Sequence, residues 1–239
     1  MIIIPARIGS TRFPSKVLAD VMGIPMVIRT AQAVRELDSV VIATDSPEII
    51  ALAEEYGYRG VLTSDAHRSG TDRIHEAAQK LGLAPEEIII NVQADEPFIE
   101  HEVVERVYEL THARVGKEGI LAASAYKIIG NPEADDPNLV KVVTDEQDTA
   151  LYFSRAKIPY PRDHHFDRYQ GHLGLYGYTM ESLERYCALA PSRLEEIEKL
   201  EQLRILAHGY RIVMTEVETE SFGIDTPEDL QRAIRKHLL

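Results

Sequence analysis

A segment near the amino terminus, residues 6–19, carries positive charge within an acidic chain. It contains Arg7, Arg12 and Lys16 and no acidic residue, whereas the whole chain of 239 residues has a net charge of −13. The cations are separated by small residues, which let backbone N–H groups approach an anion: Gly9, Ser10, Thr11 and Ser15. Guanidinium and ammonium groups neutralise phosphate. The segment therefore predicts a phosphate-binding loop, and the alternative is a solvated loop with incidental charges.

This loop differs from two common nucleotide-binding motifs. It has neither the G-x-x-x-x-G-K-[ST] pattern of a P-loop nor the G-x-G-x-x-G pattern of dinucleotide-binding folds. The missing glycine fingerprint opposes a dinucleotide-dependent oxidoreductase.

Two aspartates lie at chain positions suited to a metal ion. Asp95 follows a buried strand-like run, residues 88–92, and Asp225 precedes a helix opened by Thr226 and Pro227. Mg²⁺ prefers one or two carboxylates, with phosphate oxygens and water completing its coordination. Asp95 and Asp225 are therefore candidate ligands. The alternatives are turn formation for Asp95 and helix capping for Asp225.

A further polar set lies in one strand-like run of the second half. Alternation with a period of two places His172, Gly174 and Tyr176 on one face, and Leu173 and Leu175 on the other. The central glycine leaves space for a ligand between a histidine and a tyrosine. A single histidine in a strand is, however, more often structural.

Glu201 occupies an unusual place in a predicted helix from about Ser192 to His208. Ile197, Glu201 and Ile205 recur at intervals of four and would share one side of that helix. A carboxylate in such a column is either paired at an exposed edge or directed into a polar site.

The elements that position these residues alternate between strands and helices in the first half of the chain. The pattern predicts strands at residues 2–4, 40–43, 61–62 and 88–92, with helices at about 25–36, after Asp45 or Ser46, and ending at Gly82. Strands that are apolar on both faces and separated by helices indicate a parallel α/β sheet.

The pattern changes after about Pro132. Strand-like runs at residues 140–143, 150–153 and 173–178 indicate an antiparallel excursion. The helix of residues 192–208, with Gly209 as its stop, a strand at 211–217 and a last helix complete the chain. We expect one domain, residues 1–239, with the excursion at about 132–180.

Length and composition favour a cytoplasmic globular protein. The net charge argues against coating nucleic acid or an anionic membrane. The single cysteine, Cys187, cannot form an internal disulfide and suits a reducing compartment. No apolar run reaches the length of about 18 residues that spans a bilayer, and the first residues lack the features of a signal peptide.

Residues 4–16, Ile-Pro-Ala-Arg-Ile-Gly-Ser-Thr-Arg-Phe-Pro-Ser-Lys, resemble the nucleotide loop of sugar nucleotidyltransferases, most closely that of their CMP-Kdo synthetase branch, where Kdo is 3-deoxy-D-manno-octulosonate. Six later segments resemble further signatures of that branch in the same order: residues 69–73, 91–97, 150–155, 172–177, 200–204 and 223–230. The resemblance covers essentially the whole chain. Ala94 and Ser15 depart from it, since the family usually has glycine at both, and Ala94 requires an ordinary backbone conformation.

The resemblance implies a Rossmann-like α/β nucleotidyltransferase with a mixed, mainly parallel sheet and an antiparallel insert. It implies transfer of CMP from CTP to the anomeric hydroxyl of Kdo for lipopolysaccharide synthesis, with Mg²⁺ and a homodimer formed through the insert. The alternatives are a cytidylyltransferase for 8-amino-Kdo or a sialic acid, and a non-catalytic nucleotide-sugar sensor. Retention of both carboxylates and of the loop lysine argues against the sensor.

The resemblance also assigns residues to the two substrates. The resemblance assigns phosphate contact and catalysis to Arg7 and Lys16. It assigns metal binding, and with it a part in catalysis, to Asp95 and Asp225. The residues implied near the nucleotide are Arg7, Arg12, Lys16, Ser69, Arg73 and Gln93. Those implied near the sugar acid are Arg155, Arg162, His172, Tyr176, Glu201 and Gln202; for the two arginines, the forked guanidinium matches a sugar carboxylate.

Overall fold

One mixed sheet of nine strands organises the part of the chain that the computed structural model describes, residues 1–9, 13–67, 69–163 and 166–237. The strands, including a separate hairpin of β2 and β3, are β1 (Ile2–Ala6), β2 (Asp20–Val21), β3 (Ile24–Pro25), β4 (Val40–Thr44), β5 (Arg59–Leu62), β6 (Ile88–Asn91), β7 (Ile120–Ile129), β8 (Lys141–Thr144), β9 (Ala150–Ser154), β10 (Tyr169–Thr179) and β11 (Arg211–Glu216).

The main strands follow the order β11-β7-β10-β6-β1-β4-β5. Six of these seven share one direction, because the pairs of β1 with β4 and β6, of β4 with β5, and of β7 with β11 are parallel. β10 runs the opposite way between β6 and β7. β8 and β9 extend the sheet as an antiparallel pair beside β10. The sheet is therefore mixed and mainly parallel, as expected.

Helices cover both faces of the sheet. They are α1 (Met26–Val34), α2 (Pro47–Glu55), α3 (Gly70–Leu81), α4 (His101–Arg114), α5 (Asn131–Ala134), α6 (Met180–Cys187), α7 (Arg193–Glu198), α8 (Leu203–Ala207) and α9 (Pro227–His237). Because side chains alternate along a strand, Ile2 and Ile4 pack in the core beneath α1, α2 and α4, whereas Ile3 packs beneath α3, α6 and α8. None of the helices in the described ranges is both long and apolar enough to cross a lipid bilayer.

Most predicted elements of the first half are confirmed within one or two residues. Ser46 caps α2 by accepting a hydrogen bond from the Ile49 N–H at 3.4 Å, with Pro47 in the first turn. Gly82 ends α3 in the left-handed region, φ 72°, where glycine has no steric penalty. The predicted strands at 140–143, 150–153 and 173–178 correspond to β8, β9 and β10, and β10 begins four residues earlier than expected.

Two parts of the fold differ from the sequence pattern. The pattern predicts no element for residues 98–131, which hold α4 and β7. The single helix predicted for residues 192–208 is wrong, because the chain breaks between α7 and α8 with Lys199 in the left-handed region, φ 55°. The last turn of α7 is held by tertiary contacts: the Glu198 carbonyl accepts a hydrogen bond from Arg155 Nε at 2.8 Å, and its carboxylate accepts one from Ser154 Oγ at 2.7 Å.

Candidate active site

The two candidate metal ligands meet at one ammonium group. Lys16 Nζ lies 2.5 Å from Asp95 Oδ2 and 2.9 Å from Asp225 Oδ1. Burial acts to lower the pKa of Lys16, but the charges and hydrogen bonds of the two carboxylates outweigh it and raise the pKa above its ordinary value. Lys16 is therefore held as a cation between the aspartates.

Backbone contacts fix the segments that carry these aspartates. The Asp95 carbonyl accepts a hydrogen bond from the Ile224 N–H at 2.9 Å, which ties the chain after β6 to the residue before Asp225. The Ala94 carbonyl accepts one from Thr30 Oγ1 of α1 at 3.1 Å. Both aspartates thus lie at the carboxyl end of the parallel strands, where open α/β sheets bind ligands.

Helix capping was the alternative role for Asp225, but Thr226 and Asp229 cap α9 instead. Thr226 Oγ1 accepts a hydrogen bond from the Asp229 N–H at 3.1 Å, and the Asp229 carboxylate accepts one from the Thr226 N–H at 3.0 Å. This reciprocal pair is a capping box at the start of α9. The Asp225 carboxylate contacts Lys16 Nζ at 2.9 Å.

The two positions that depart from the family pattern behave differently. Ser15, immediately before Lys16, adopts φ 53°, a left-handed conformation that favours glycine and costs another residue about 1–2 kcal/mol. Ala94 is buried and is not among the positive-φ residues of the described chain. The loop therefore tolerates strain next to Lys16, whereas the turn at Asp95 needs no glycine.

The donor set at this junction fits a magnesium ion. Two carboxylates already converge on a single cation, and their oxygens are the ligands that Mg²⁺ prefers. Within the described residues there is no cluster of three or more histidine, cysteine, aspartate or glutamate side chains arranged around a metal position. Phosphate oxygens and water would complete the octahedron, as is usual for Mg²⁺ bound with a nucleotide.

A first cavity of about 320 Å³ contains most of the residues predicted for the nucleotide. Arg7, Lys16, Ser69, Arg73 and Gln93 line it, together with both aspartates. Residues 10–12, Arg12 among them, lie outside the described residues. The basic segment, the start of α3 and the end of β6 therefore converge on one space.

Arg73 and Ser69 have structural partners within this cavity. The Arg73 guanidinium is buried and donates to Asp45 Oδ2 at 2.8 Å and to Thr63 Oγ1 at 2.6 Å. Ser69 is the N-cap of α3 and accepts a hydrogen bond from the Asp72 N–H at 3.1 Å. Both side chains thus brace the cavity wall, and their contact with a nucleotide stays a prediction.

A second cavity of about 900 Å³ adjoins the first. It is lined by four of the residues predicted for the sugar: His172, Tyr176, Glu201 and Gln202. The two cavities share Gln93, Asp95 and Asp225. The carboxylate pair therefore stands where the two spaces meet.

His172 faces this second cavity as a neutral ring. Burial lowers its pKa to about 3. Ser124 Oγ donates its single hydrogen to the Leu175 carbonyl at 2.7 Å, so its contact with His172 Nε2 at 3.1 Å requires the imidazole to donate. Nε2 thus carries the proton, and Nδ1 remains an acceptor. As the strand alternation predicts, the His172 and Tyr176 rings share a face, with centroids 5.4 Å apart.

Glu201 lies in the turn between α7 and α8 rather than within one helix. The predicted column is wrong, since Ile197 is exposed and Ile205 is buried. Glu201 Oε1 accepts a hydrogen bond from Thr71 Oγ1 of α3 at 2.6 Å. Burial raises the pKa of Glu201, and the hydrogen bond from Thr71 acts against that rise. The break after α7 is what brings Glu201 and Gln202 to the cavity.

The structure does not bring Arg155 and Arg162 to either cavity. Arg155 donates through Nε to the Glu198 carbonyl and through a terminal nitrogen to the Pro137 carbonyl at 3.0 Å. Arg162 is almost fully exposed and lies 3.9 Å from Asp163. Arg155 thus holds the surface beside α7, and the role of both arginines toward the sugar stays a prediction.

Glu96, Lys127 and His67 are among the residues lining the cavities that sequence reasoning missed. Glu96 is buried in the second cavity, where burial and the neighbouring Asp95 raise its pKa to about 8. Lys127 of β7 lines the same cavity, and His67 lines the first. Glu96 was within reach of sequence reasoning because it follows Asp95 directly, whereas Lys127 lies on a strand that the pattern does not predict.

The chain has a mixed α/β sheet with a cation-bearing loop after β1. It also has paired carboxylates at the carboxyl ends of the strands. Together these features place it in the nucleotidyltransferase class. A solved structure of CMP:2-keto-3-deoxy-manno-octonic acid synthetase complexed with CTP superimposes with a TM-score of 0.89 and 37% identity, covering 99% of this chain and 97% of that one. A putative glucose-1-phosphate thymidylyltransferase from Bacillus anthracis, at 18% identity and a TM-score of 0.66, shares the fold.

The cytidylyltransferase family model matches residues 1–212. The 3-deoxy-manno-octulosonate cytidylyltransferase of a Nitratiruptor species is 58% identical over 232 residues, 97% of each chain. The enzyme of the same name from Wolinella succinogenes is 54% identical over 239 residues, 98% of each chain. This chain belongs to the cytidylyltransferase family.

Proposed function

We propose that this protein transfers CMP from CTP to the anomeric hydroxyl of Kdo, giving CMP-Kdo and pyrophosphate. The observation that carries the proposal is the meeting of two cavities at Asp95 and Asp225, one beside the basic loop and one lined by hydroxyl-binding side chains. The likeness to proteins named for this reaction over 97–98% of their length supports the choice of sugar.

In the reaction, the anomeric oxygen forms a bond to the α-phosphorus of CTP, and the bond from that phosphorus to the pyrophosphate oxygen breaks. The hydroxyl proton leaves to solvent or to a phosphate oxygen. Asp95 and Asp225 would hold Mg²⁺, which supplies positive charge to the phosphates when it is bound. The protein contributes mainly by positioning and by charge stabilisation.

Three side chains have defined tasks on the nucleotide side of this proposal. Lys16 Nζ, at the junction of the cavities, donates to phosphate oxygens, and Arg7 at the exposed rim of the first cavity adds positive charge. Gln93 Nε2 donates to the Gly174 carbonyl at 3.3 Å, which holds the amide at the boundary between the cavities. Charge on the phosphates shifts during displacement, so these donors stabilise the transition state.

On the sugar side, the cavity offers acceptors and donors suited to a polyhydroxylated acid. His172 Nδ1 and Glu201 accept from sugar hydroxyl groups, and Tyr176 and Gln202 complete the wall. The antiparallel excursion at about 132–180 is proposed to serve sugar binding and formation of a homodimer. A cytoplasmic location, in the service of lipopolysaccharide synthesis, belongs to the same proposal and accords with the single unpaired Cys187.

The test is pyrophosphate release by the purified protein with CTP, Mg²⁺ and a panel of acidic sugars. We expect release with Kdo that stops when the metal is chelated and that is weaker with UTP. A preference for 8-amino-Kdo or a sialic acid would change the assigned sugar but leave the assigned reaction, cytidylyl transfer, unchanged. Binding of CTP without release for any sugar would refute the proposal and favour a nucleotide-sugar sensor.

A further inference from the structure

The second cavity is acidic, although the proposed substrate is itself an acid. Among its described lining residues, eight are aspartate or glutamate and four are lysine or arginine. A sugar carboxylate entering this space needs a cation that is not already neutralised. Among the described side chains of this cavity, the cationic candidates for binding that carboxylate are Lys127, Lys199, Arg232 and Lys236.

Two of the four cations are already paired. Arg232 lies 3.1 Å from Asp229 Oδ1 and also stacks over the Phe222 ring at 4.2 Å. Lys236 forms an ion pair with Glu220. The charge of each of these two cations is therefore already balanced by a carboxylate within the wall.

Lys127 differs from these cations. It stands on β7, which lies between β11 and β10 in the sheet, and is half-buried in the cavity wall. Its Nζ donates to the Ser221 carbonyl at 2.9 Å, which uses one of three ammonium hydrogens. Within the described ranges no carboxylate oxygen lies within 4.0 Å of Lys127 Nζ, the distance limit for an ion pair. The ammonium is thus held in place by a neutral acceptor, with hydrogens available for an anion.

The remaining candidates in and near the cavity are less suited. Lys199 also lacks an ion pair among the described residues, but it is exposed at the rim, where water screens its charge. His172 is neutral, because burial lowers its pKa to about 3. Arg155 and Arg162 line neither cavity. Burial also lowers the pKa of Lys127, but the charge of Glu133 acts against this change and favours the ammonium.

We propose that Lys127 binds the carboxylate of the acidic sugar and thereby selects acidic sugars over neutral ones. This proposal rests on the proposed function. The carboxylate and the attacking hydroxyl of Kdo are attached to the same carbon, so a contact at Lys127 also sets the direction in which the hydroxyl faces the junction of the cavities. A charge-assisted hydrogen bond in a partly buried site gives both affinity and orientation.

The experiment compares the parent protein with Lys127→Met, which keeps the length of the side chain and removes the charge. Steady-state assays give KM for Kdo and for CTP. Inhibition by the 2-deoxy sugar acid, and by the same compound with a carboxamide in place of the carboxylate, reports binding of the charged group alone. We expect KM for Kdo to rise about 10- to 100-fold with KM for CTP nearly unchanged.

We expect Lys127→Met to lose the ability to discriminate between the carboxylate and the carboxamide inhibitor. The parent should bind the carboxylate more tightly than the carboxamide, Lys127→Met should bind the two about equally, and Lys127→Arg should recover part of the preference. Lys117→Met, on an exposed residue before the opposite end of β7, controls for loss of a surface charge. Melting temperatures verify that each variant is folded.

Two other results would overturn the proposal. An unchanged carboxylate preference in a folded, active Lys127→Met protein would refute the role of Lys127 and leave the proposed function intact. Loss of that preference in Lys199→Met but not in Lys127→Met would show that Lys199, at the rim of the cavity, binds the carboxylate instead. A parent protein that releases no pyrophosphate with any acidic sugar would instead refute the proposed function, so the two failures are distinguishable.

Discussion

Replacing His172 by glutamine tests the electrostatic character of the second cavity. Burial lowers the pKa of His172 to about 3, whereas an unfolded chain titrates histidine near 6.5. As the pH falls through about 6.5, the unfolded protein takes up a proton that the folded protein does not. The stability associated with the neutral ring is therefore present above pH 6.5 and is lost as the pH falls toward 3.

The size of this effect follows from the two pKa values. Between pH 8 and pH 5, this single group removes about 2 kcal/mol from the free energy of unfolding. His172→Gln lacks the titrating ring, so it should lose about 2 kcal/mol less than the parent over the same interval. Glu96, with a pKa raised by burial to about 8, acts in the opposite direction, but it does so in both proteins and cancels in the comparison.

The measurement is urea unfolding, followed by circular dichroism, of both proteins at pH 8 and pH 5. Equal losses of stability in the parent and in His172→Gln would refute a buried neutral histidine. The same variant has a functional readout, because removal of the Nδ1 acceptor should raise KM for Kdo about tenfold and leave CTP affinity unchanged. Equal losses for both substrates would indicate that His172 acts through the fold.

Three further predictions concern the junction and the wall of the second cavity. Asp225→Asn should keep the fold but lower kcat about 100-fold or more, measured by pyrophosphate release; near-normal turnover would exclude Asp225 as a metal ligand. Lys16→Ala should weaken CTP binding about 10- to 100-fold by calorimetry, less at high salt, and Lys16→Arg should restore it only in part, because a planar fork replaces a compact ammonium. Glu201→Gln should raise KM for Kdo about tenfold with CTP binding retained, whereas a matching loss of CTP affinity would show that Glu201 acts through Thr71.

The sequence predicts the carboxylate pair well because local rules determine where it lies. Asp95 comes four residues after the end of β6, a strand that is apolar on both faces, and Asp225 comes directly before a capping box. In a parallel sheet, strand ends and helix starts of this kind gather at one edge. Their approach to a common Lys16 is therefore foreseeable from positions along the chain, although the distances are not.

The wall of the second cavity could not be predicted in the same way. A periodic pattern favours one helix over residues 192–208, but contacts of Glu198 with Arg155 and Ser154 end α7 early, and these partners are about 44 residues away in sequence. Lys127 is hidden for a related reason: β7 is buried on both faces, so its residues show no alternation that would single out one polar side chain. Tertiary contacts, rather than local propensity, decide both features.

The charges at the junction explain how an acidic chain can act on two acidic substrates. Asp95, Asp225 and Lys16 together carry a formal charge of −1, so these side chains alone do not attract a triphosphate. A divalent cation between the aspartates would change that sum to +1, while Lys16 would remain available to the phosphates. Attraction for CTP then depends on the metal and the basic loop, whereas attraction for the sugar acid depends on Lys127 within the second cavity. The protein thus separates the two anions by giving each its own local cation, and the overall charge of −13 need not oppose either.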